Sequence, residues 1–149
     1  MKSEEILSHP ARALNQAQRE HYFEEGYVGV DGLVPDDVLA ELKAWDADFM
    51  VLAFVTIFVP EAARNIPKLG TICFHPSLLP LHRGPSSINW PIIWGAKKTG
   101  LTIFWPDDGL DEGEVLLQKE VEITPDDTLG TVYFDKLFPM GVDAMLESV

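Results

Sequence analysis

The sequence predicts an α/β fold, a sheet with flanking helices preceded by a short, mainly helical segment. Three observations predict it: apolar runs of strand length, helical stretches between them, and turn residues at the joins. The runs are "DFMVLAF", "GTICF" and "LTIFW", and between them stand "PEAARNI" and "SSINWPIIWGA". Strands without polar alternation are the kind a sheet buries on both faces. A later run, "VLLQKEVEI", alternates in part, as an edge or outer strand does.

The elements follow in order. Residues 1–45 read as a helical lead-in or cap, and 46–149 as the core. In the first part "NQAQREHYFEEG" is a helix stopped by Gly26, "YVGV" a short strand and "DGL" a turn. "PDDVLAELKAW" is a second helix with Pro35 in its first turn. In the core, "DFMVLAF" and "GTICF" are buried strands around a short helix. "SSINWPIIWGA" is a helix opened by serine, and Pro91 fits it only if the helix starts near Ser87. "LTIFW" is the third strand. The closing stretch from Thr124 is helical, capped by Thr124 or Asp126 and bent near Pro139.

Composition narrows the function classes. The 149 residues carry 46% hydrophobic and 23% charged side chains, which describes a folded domain with a core. With 24 acids against 11 Lys and Arg, the net charge is -13, which disfavours nucleic acid and anionic membranes as partners. One cysteine excludes an internal disulfide framework and suits a reducing compartment. The N-terminus has no apolar signal core, and no run reaches membrane-spanning length. A soluble, cytoplasmic protein is expected.

Chemistry gathers at two places. His75 ends a buried strand, with Pro76 fixing the turn and Ser77 able to hydrogen-bond back. Asp107, Asp108 and Asp111 stand on a glycine-containing turn after "LTIFW". In α/β sheets the active cleft lies beyond the carboxyl ends of strands, and both features stand at such ends. A carboxylate beside a histidine fixes its tautomer and suits it to acid–base work. Spacing alone favours a histidine that caps a loop beside a solvated acidic turn, and it does not choose among the aspartates.

Other features read as structural. Cys73 is a small core residue before it is a nucleophile. His82 follows His75 across Pro80, so no helical face presents the pair to a metal, and Cys73-x-His75 is too sparse for zinc. "DDGLDEGE" lacks the ligand order of a calcium loop. Lys97 and Lys98 read as an exposed turn, and Trp90, Trp94, Phe104 and Trp105 as core.

"FHPSLLPLHRGPSSINW" followed by "DDGLDEG" resembles the formyltransferase family that uses 10-formyltetrahydrofolate. Hydrolase domains of the kind that open 10-formyltetrahydrofolate dehydrogenases are most similar, with methionyl-tRNA formyltransferases slightly further off. The likeness runs from about Asp46 to Val149, through "VLAFVTIFVP", "LLQKEVEITPDDT" and "LFPMGVDAMLESV". It implies a Rossmann-like sheet, a folate substrate, no metal, and either transfer of the formyl group or its hydrolysis. It also implies that His75 and Asp111 are the catalytic pair, with Asp111, not Asp107 or Asp108, as the partner. Ile57, Phe58 and Val59 carry over as pterin-binding positions, and Asp111 as a folate-binding one as well.

The pattern departs from the family in places. Cys73 stands where many transferases have asparagine, as in hydrolase-type members, and Leu81 stands where arginine is usual. The family's opening strand–helix–strand elements have no counterpart here. Residues 14–45 resemble instead the start of phytanoyl-CoA dioxygenase-like proteins, without the His-x-Asp iron ligands. His9, His21, His75 and His82 are followed two residues on by Ala11, Phe23, Ser77 and Gly84. A sheet shortened in this way exposes an edge and a face. Two coverings are expected, the N-terminal helices or a second copy in a homodimer. A non-catalytic folate-binding or interaction module is the alternative to an enzyme.

Overall fold

The computed structural model describes residues 14–26, 28 and 34–149. They fall in two compact units, residues 1–35 and 36–149.

In the first unit, α1 spans Gln16–Glu25. Asn15 and Gln18 close its start reciprocally, each side-chain oxygen accepting the other's backbone N–H at 2.9 Å. Gly26, at φ +82°, ends it. The strand and turn expected at 27–33 fall almost wholly outside the described residues.

The second unit opens with α2 (Asp36–Ala44), one residue after Pro35, so the proline precedes the helix and is not part of its first turn. There follow β1 (Met50–Leu52), α3 (Glu61–Arg64), β2 (Thr71–His75), α4 (Asn89–Ile93), β3 (Lys98–Trp105) and β4 (Glu114–Glu122). A π-helical turn at Thr131–Leu137 then runs into α5 (Phe138–Ser148).

The sheet has the order β1-β2-β3-β4, and only β1 and β2 are parallel. The antiparallel pairing of β2 with β3 sets Cys73 opposite Phe104 and His75 opposite Thr102. β3 pairs with β4 in the same sense, Thr102 opposite Gln118. Mixed pairing corrects the expectation that β2 and β3 end on the same side. Their carboxyl ends point in opposite directions.

Alternation along β2 gives each face its own task. Ile72, with Leu101 and Ile103 of β3 and Ala144 of α5, makes a fully buried core, and Phe74, Trp105, Met140 and Met145 pack around it. Removing each such aliphatic side chain from water contributes about 1.5–3 kcal/mol. α5 seats closely here; a Cβ on Gly141 would stand 2.8 Å from Phe74 Cε2. Thr71, Cys73 and His75 turn to the opposite face, the same side as Thr102 and Gln118.

Several boundaries differ from those read in the sequence. β1 is three residues long, and Val51 is half exposed because β1 is an edge strand with β2 as its neighbour. β3 begins at Lys98, whose Nζ reaches Glu120 Oε2 at 2.8 Å across the strand pair, so "KK" is not a free turn. The closing helix is capped by Thr128, whose Oγ1 accepts the Thr131 N–H, while Asp127 takes the Thr124 N–H. The change of helical form at Leu137/Phe138 falls beside Pro139, where a bend is expected. Pro91 is the third residue of α4, within its first turn, where no intrahelical N–H bond is lost.

Candidate active site

His75 closes β2 and is buried. Its Nε2 lies 3.0 Å from the carbonyl oxygen of His82, and its Nδ1 3.3 Å from Asp111 Oδ2. A carbonyl can only accept, so Nε2 carries a proton and donates it. A hydrogen bond on the other side then needs one more proton between Nδ1 and the carboxyl group. The arrangement is a histidine–carboxylate pair whose two members are each held by a backbone group as well.

The loop from Pro76 to Gly84 is fastened to the sheet beneath it. Thr102, fully buried on β3 opposite His75, donates to Ser77 O at 2.7 Å and accepts the Leu79 N–H at 3.0 Å. Gln118 on β4 donates to Leu79 O and to Thr102 Oγ1 at 2.7 and 2.9 Å. Ser77 Oγ reaches forward to Leu81 O at 2.6 Å, and its backbone N–H, not its hydroxyl, returns to His75 O at 2.9 Å. This row of polar groups holds the His82 carbonyl against the imidazole.

Asp111 arrives by another route. The segment after β3 folds back along the site face, which is how a group beyond β3 meets the far end of β2. Gly84 donates its N–H to Asp111 Oδ2 at 2.6 Å, a close approach made at φ +76°. Arg83 and Glu112 bridge the same two loops at 2.8 Å. Gly113, at φ +100°, closes the turn where a Cβ would stand 2.0 Å from Trp105 O.

Cys73 shares this face, two residues before His75. Burial, and then the negative charge of Asp111, push its thiol up to about 12. It is a protonated thiol near neutrality and no ready nucleophile.

Ile57, Phe58 and Val59 lie on the loop after β1, with Ile57 exposed and the other two partly buried. β1 and β2 are parallel, so this loop leaves the sheet at the end where His75 stands. Among the aspartates, Asp111 meets His75; Asp108 pairs with Arg64, and Asp107 accepts the Gly109 N–H within its own turn at 2.9 Å.

The aromatic expectations divide. Phe104 is buried, and Trp105 packs edge-on to Phe49 at 5.6 Å. Trp90 and Trp94 are not core: they are 42% and 68% exposed, and Trp94 sits 5.4 Å from both Trp90 and the His82 ring. Trp90 and Trp94 stand four residues apart on one side of this short helix, and that side faces outward. Sequence reasoning did not find Gly84, Thr102, Gln118 or Arg64, whose bonds span 16 to 44 residues of chain and leave no local signal. Among the described residues, no group of three or more His, Cys, Asp or Glu could hold a metal ion, and no helix is long and apolar enough to cross a membrane.

Comparison with known proteins adds the following. The profile of a family described as formyl transferase matches residues 4–147, and so takes in most of the lead-in. The chain is 52% identical over 113 residues to a cytosolic 10-formyltetrahydrofolate dehydrogenase of Pongo abelii, covering 76% of this chain and 12% of that one. It is 39% identical over 118 residues to a methionyl-tRNA formyltransferase of Syntrophus aciditrophicus, 79% of this chain and 38% of that one. A phosphoribosylglycinamide formyltransferase from Bacillus halodurans superposes with a TM-score of 0.64 at 28% identity, covering 91% of this chain and 77% of that one. The chain thus spans about an eighth of the length of the dehydrogenases it matches.

Proposed function

This chain belongs to the formyl transferase family, a family of enzymes, and from that premise we propose that it moves the formyl group of 10-formyltetrahydrofolate to water or a small amine. The observation that carries the reading is the His75–Asp111 pair at 3.3 Å, anchored at both ends by the protein's own backbone. The relatives' names supply the folate and the formyl group. Residues 46–149 act as the catalytic core, with 1–45 as a lead-in segment.

The residues fit the chemistry. Water or the amine adds to the formyl carbon, and its proton passes toward Asp111. Negative charge develops on the formyl oxygen, where the Nε2–H of a protonated His75, turned from the His82 carbonyl to the substrate, stabilises it. The C–N10 bond then breaks, and nitrogen leaves with a proton from the imidazole. With water the products are formate and tetrahydrofolate. Ile57, Phe58 and Val59 offer apolar contact and backbone polar groups to a flat pterin. Acid–base assistance of this kind contributes about 10²–10⁴-fold.

The experiment compares turnover of 10-formyltetrahydrofolate by the unmodified chain, His75→Ala and Asp111→Asn. A drop of that size in both variants supports the reading, and equal background rates in all three sink it. Saturable folate binding without turnover favours a non-catalytic module. A homodimer through the exposed β1 edge belongs to the same reading, supported by the apolar groove beside that edge. The groove, of about 280 Å³, is lined by Phe54, Phe74, Tyr133, Phe138 and Met145. A monomer mass in light scattering removes the dimer. Cytosolic placement follows the name of the cytosolic dehydrogenase relatives, mitochondrial ones being similar at 45–50% identity, and is tested by cell fractionation.

A further inference from the structure

The two sides of the proposed site are joined by a residue outside its motifs. Arg64, the last residue of α3, keeps its side chain 8% exposed. One arm of its guanidinium pairs with Asp108, on the acidic turn that carries Asp111 three residues later. The other donates to Val59 O at 3.4 Å, on the loop after β1. Its own carbonyl accepts the Thr71 hydroxyl at 2.5 Å, which ties the base of the side chain to the start of β2. Arginine suits this task because its planar fork has donors on separate arms, whereas a lysine ammonium is a single point.

The bridge closes a circuit. Gly84–Asp111 and Arg83–Glu112 hold the acidic turn to the histidine loop, and Arg64–Asp108 holds the same turn to the segment of Ile57–Val59. Without Arg64 the acidic turn keeps its ties to the histidine loop and loses this one to the folate side.

We propose that Arg64 is a positioning residue, fixing the distance between the loop that receives the pterin and the turn that carries Asp111. The inference rests on the folate reading above and deepens it. A packing role alone would lower stability and leave the affinity of folded molecules unchanged. A positioning role weakens folate binding per folded molecule and acts through Asp108.

The test is calorimetric titration with tetrahydrofolate of the unmodified chain, Arg64→Met, Asp108→Asn and the double variant, each corrected for its folded fraction. The Gly84 amide is followed in parallel by hydrogen exchange, since its N–H reports where Asp111 sits. We expect each single change to raise Kd about tenfold, with the double variant no worse than either single one, as for two residues acting as one unit. Gly84 exchange should quicken in all three variants. Arg64→Lys should resemble Arg64→Met, because one ammonium does not replace the two-armed contact. Binding by the unmodified chain with unchanged Kd in the variants overturns the role of Arg64 and leaves the folate reading standing. No saturable binding by the unmodified chain overturns both.

Discussion

Thr102→Val tests whether the row of polar groups under the histidine loop holds the site. The replacement keeps side-chain volume and shape and exchanges the hydroxyl for a methyl group. That hydroxyl is fully buried, donates to Ser77 O, and accepts from Leu79 N and Gln118 Nε2. Gln118 retains Leu79 O at 2.7 Å, so the groups stranded are the Leu79 N–H and the Ser77 carbonyl. A buried donor or acceptor left without a partner costs about 1–3 kcal/mol, and the carbonyl sits at the low end because it keeps a second lone pair to satisfy elsewhere. The sum is about 3 kcal/mol. For a chain of this length that is a fall in Tm of about 6–12 °C, read by thermal circular dichroism. Thr102→Ser keeps the hydroxyl, loses one methyl, and should cost about 1 kcal/mol. If the serine variant melts below the valine variant, the hydroxyl is not what fastens the loop.

Three further outcomes are expected. Burial and Asp111 raise the Cys73 thiol to about 12, so iodoacetamide should label it far more slowly than a free thiol between pH 7 and 9, the rate climbing with pH; Asp111→Asn should quicken labelling, and labelling at the free-thiol rate would contradict the assignment. Gly113→Ala forces a side chain into positive φ and against the Trp105 carbonyl, and should destabilise by about 3 kcal/mol in urea unfolding while depressing turnover through Asp111; an unchanged midpoint would remove this account of the turn. Lys136 and the Thr124 amide hold the Asp127 carboxyl well below the usual range, so the stability this gives is present above about pH 4 and lost as pH falls toward the lower folded value. Lys136→Met should therefore flatten acid unfolding over that window, and identical acid titrations of the two proteins would show that the carboxyl is not so held.

Much of the fold could be read because its cues are local. The strand at Thr71–His75, the Gly26 stop and the position of α5 follow from apolar runs and capping residues a few positions apart. Strand direction could not be read that way. Three apolar runs separated by helical stretches look alike whether paired parallel or antiparallel, and only the return of β3 alongside β2 decides it. The expected meeting of His75 with an aspartate therefore occurs, but through a loop that folds back, not through neighbouring strand ends. Trp90 and Trp94 show a second limit, since apolarity does not say which side of a short helix meets the core.

The alternation of β2 has a consequence for how the site is maintained. Ile72 and Phe74 face the core, while Cys73 and His75 face the chemistry. Slippage of this strand by one residue would swing every side chain across the sheet, taking the imidazole away from Asp111 and setting either a phenyl ring or a proline in its place. Such an alignment loses apolar burial and strands a polar ring in the same movement. Folding energy thus proofreads the geometry of the proposed site, and a mutation that loosens the core beneath β2 endangers the His75–Asp111 contact on the other side of the same backbone.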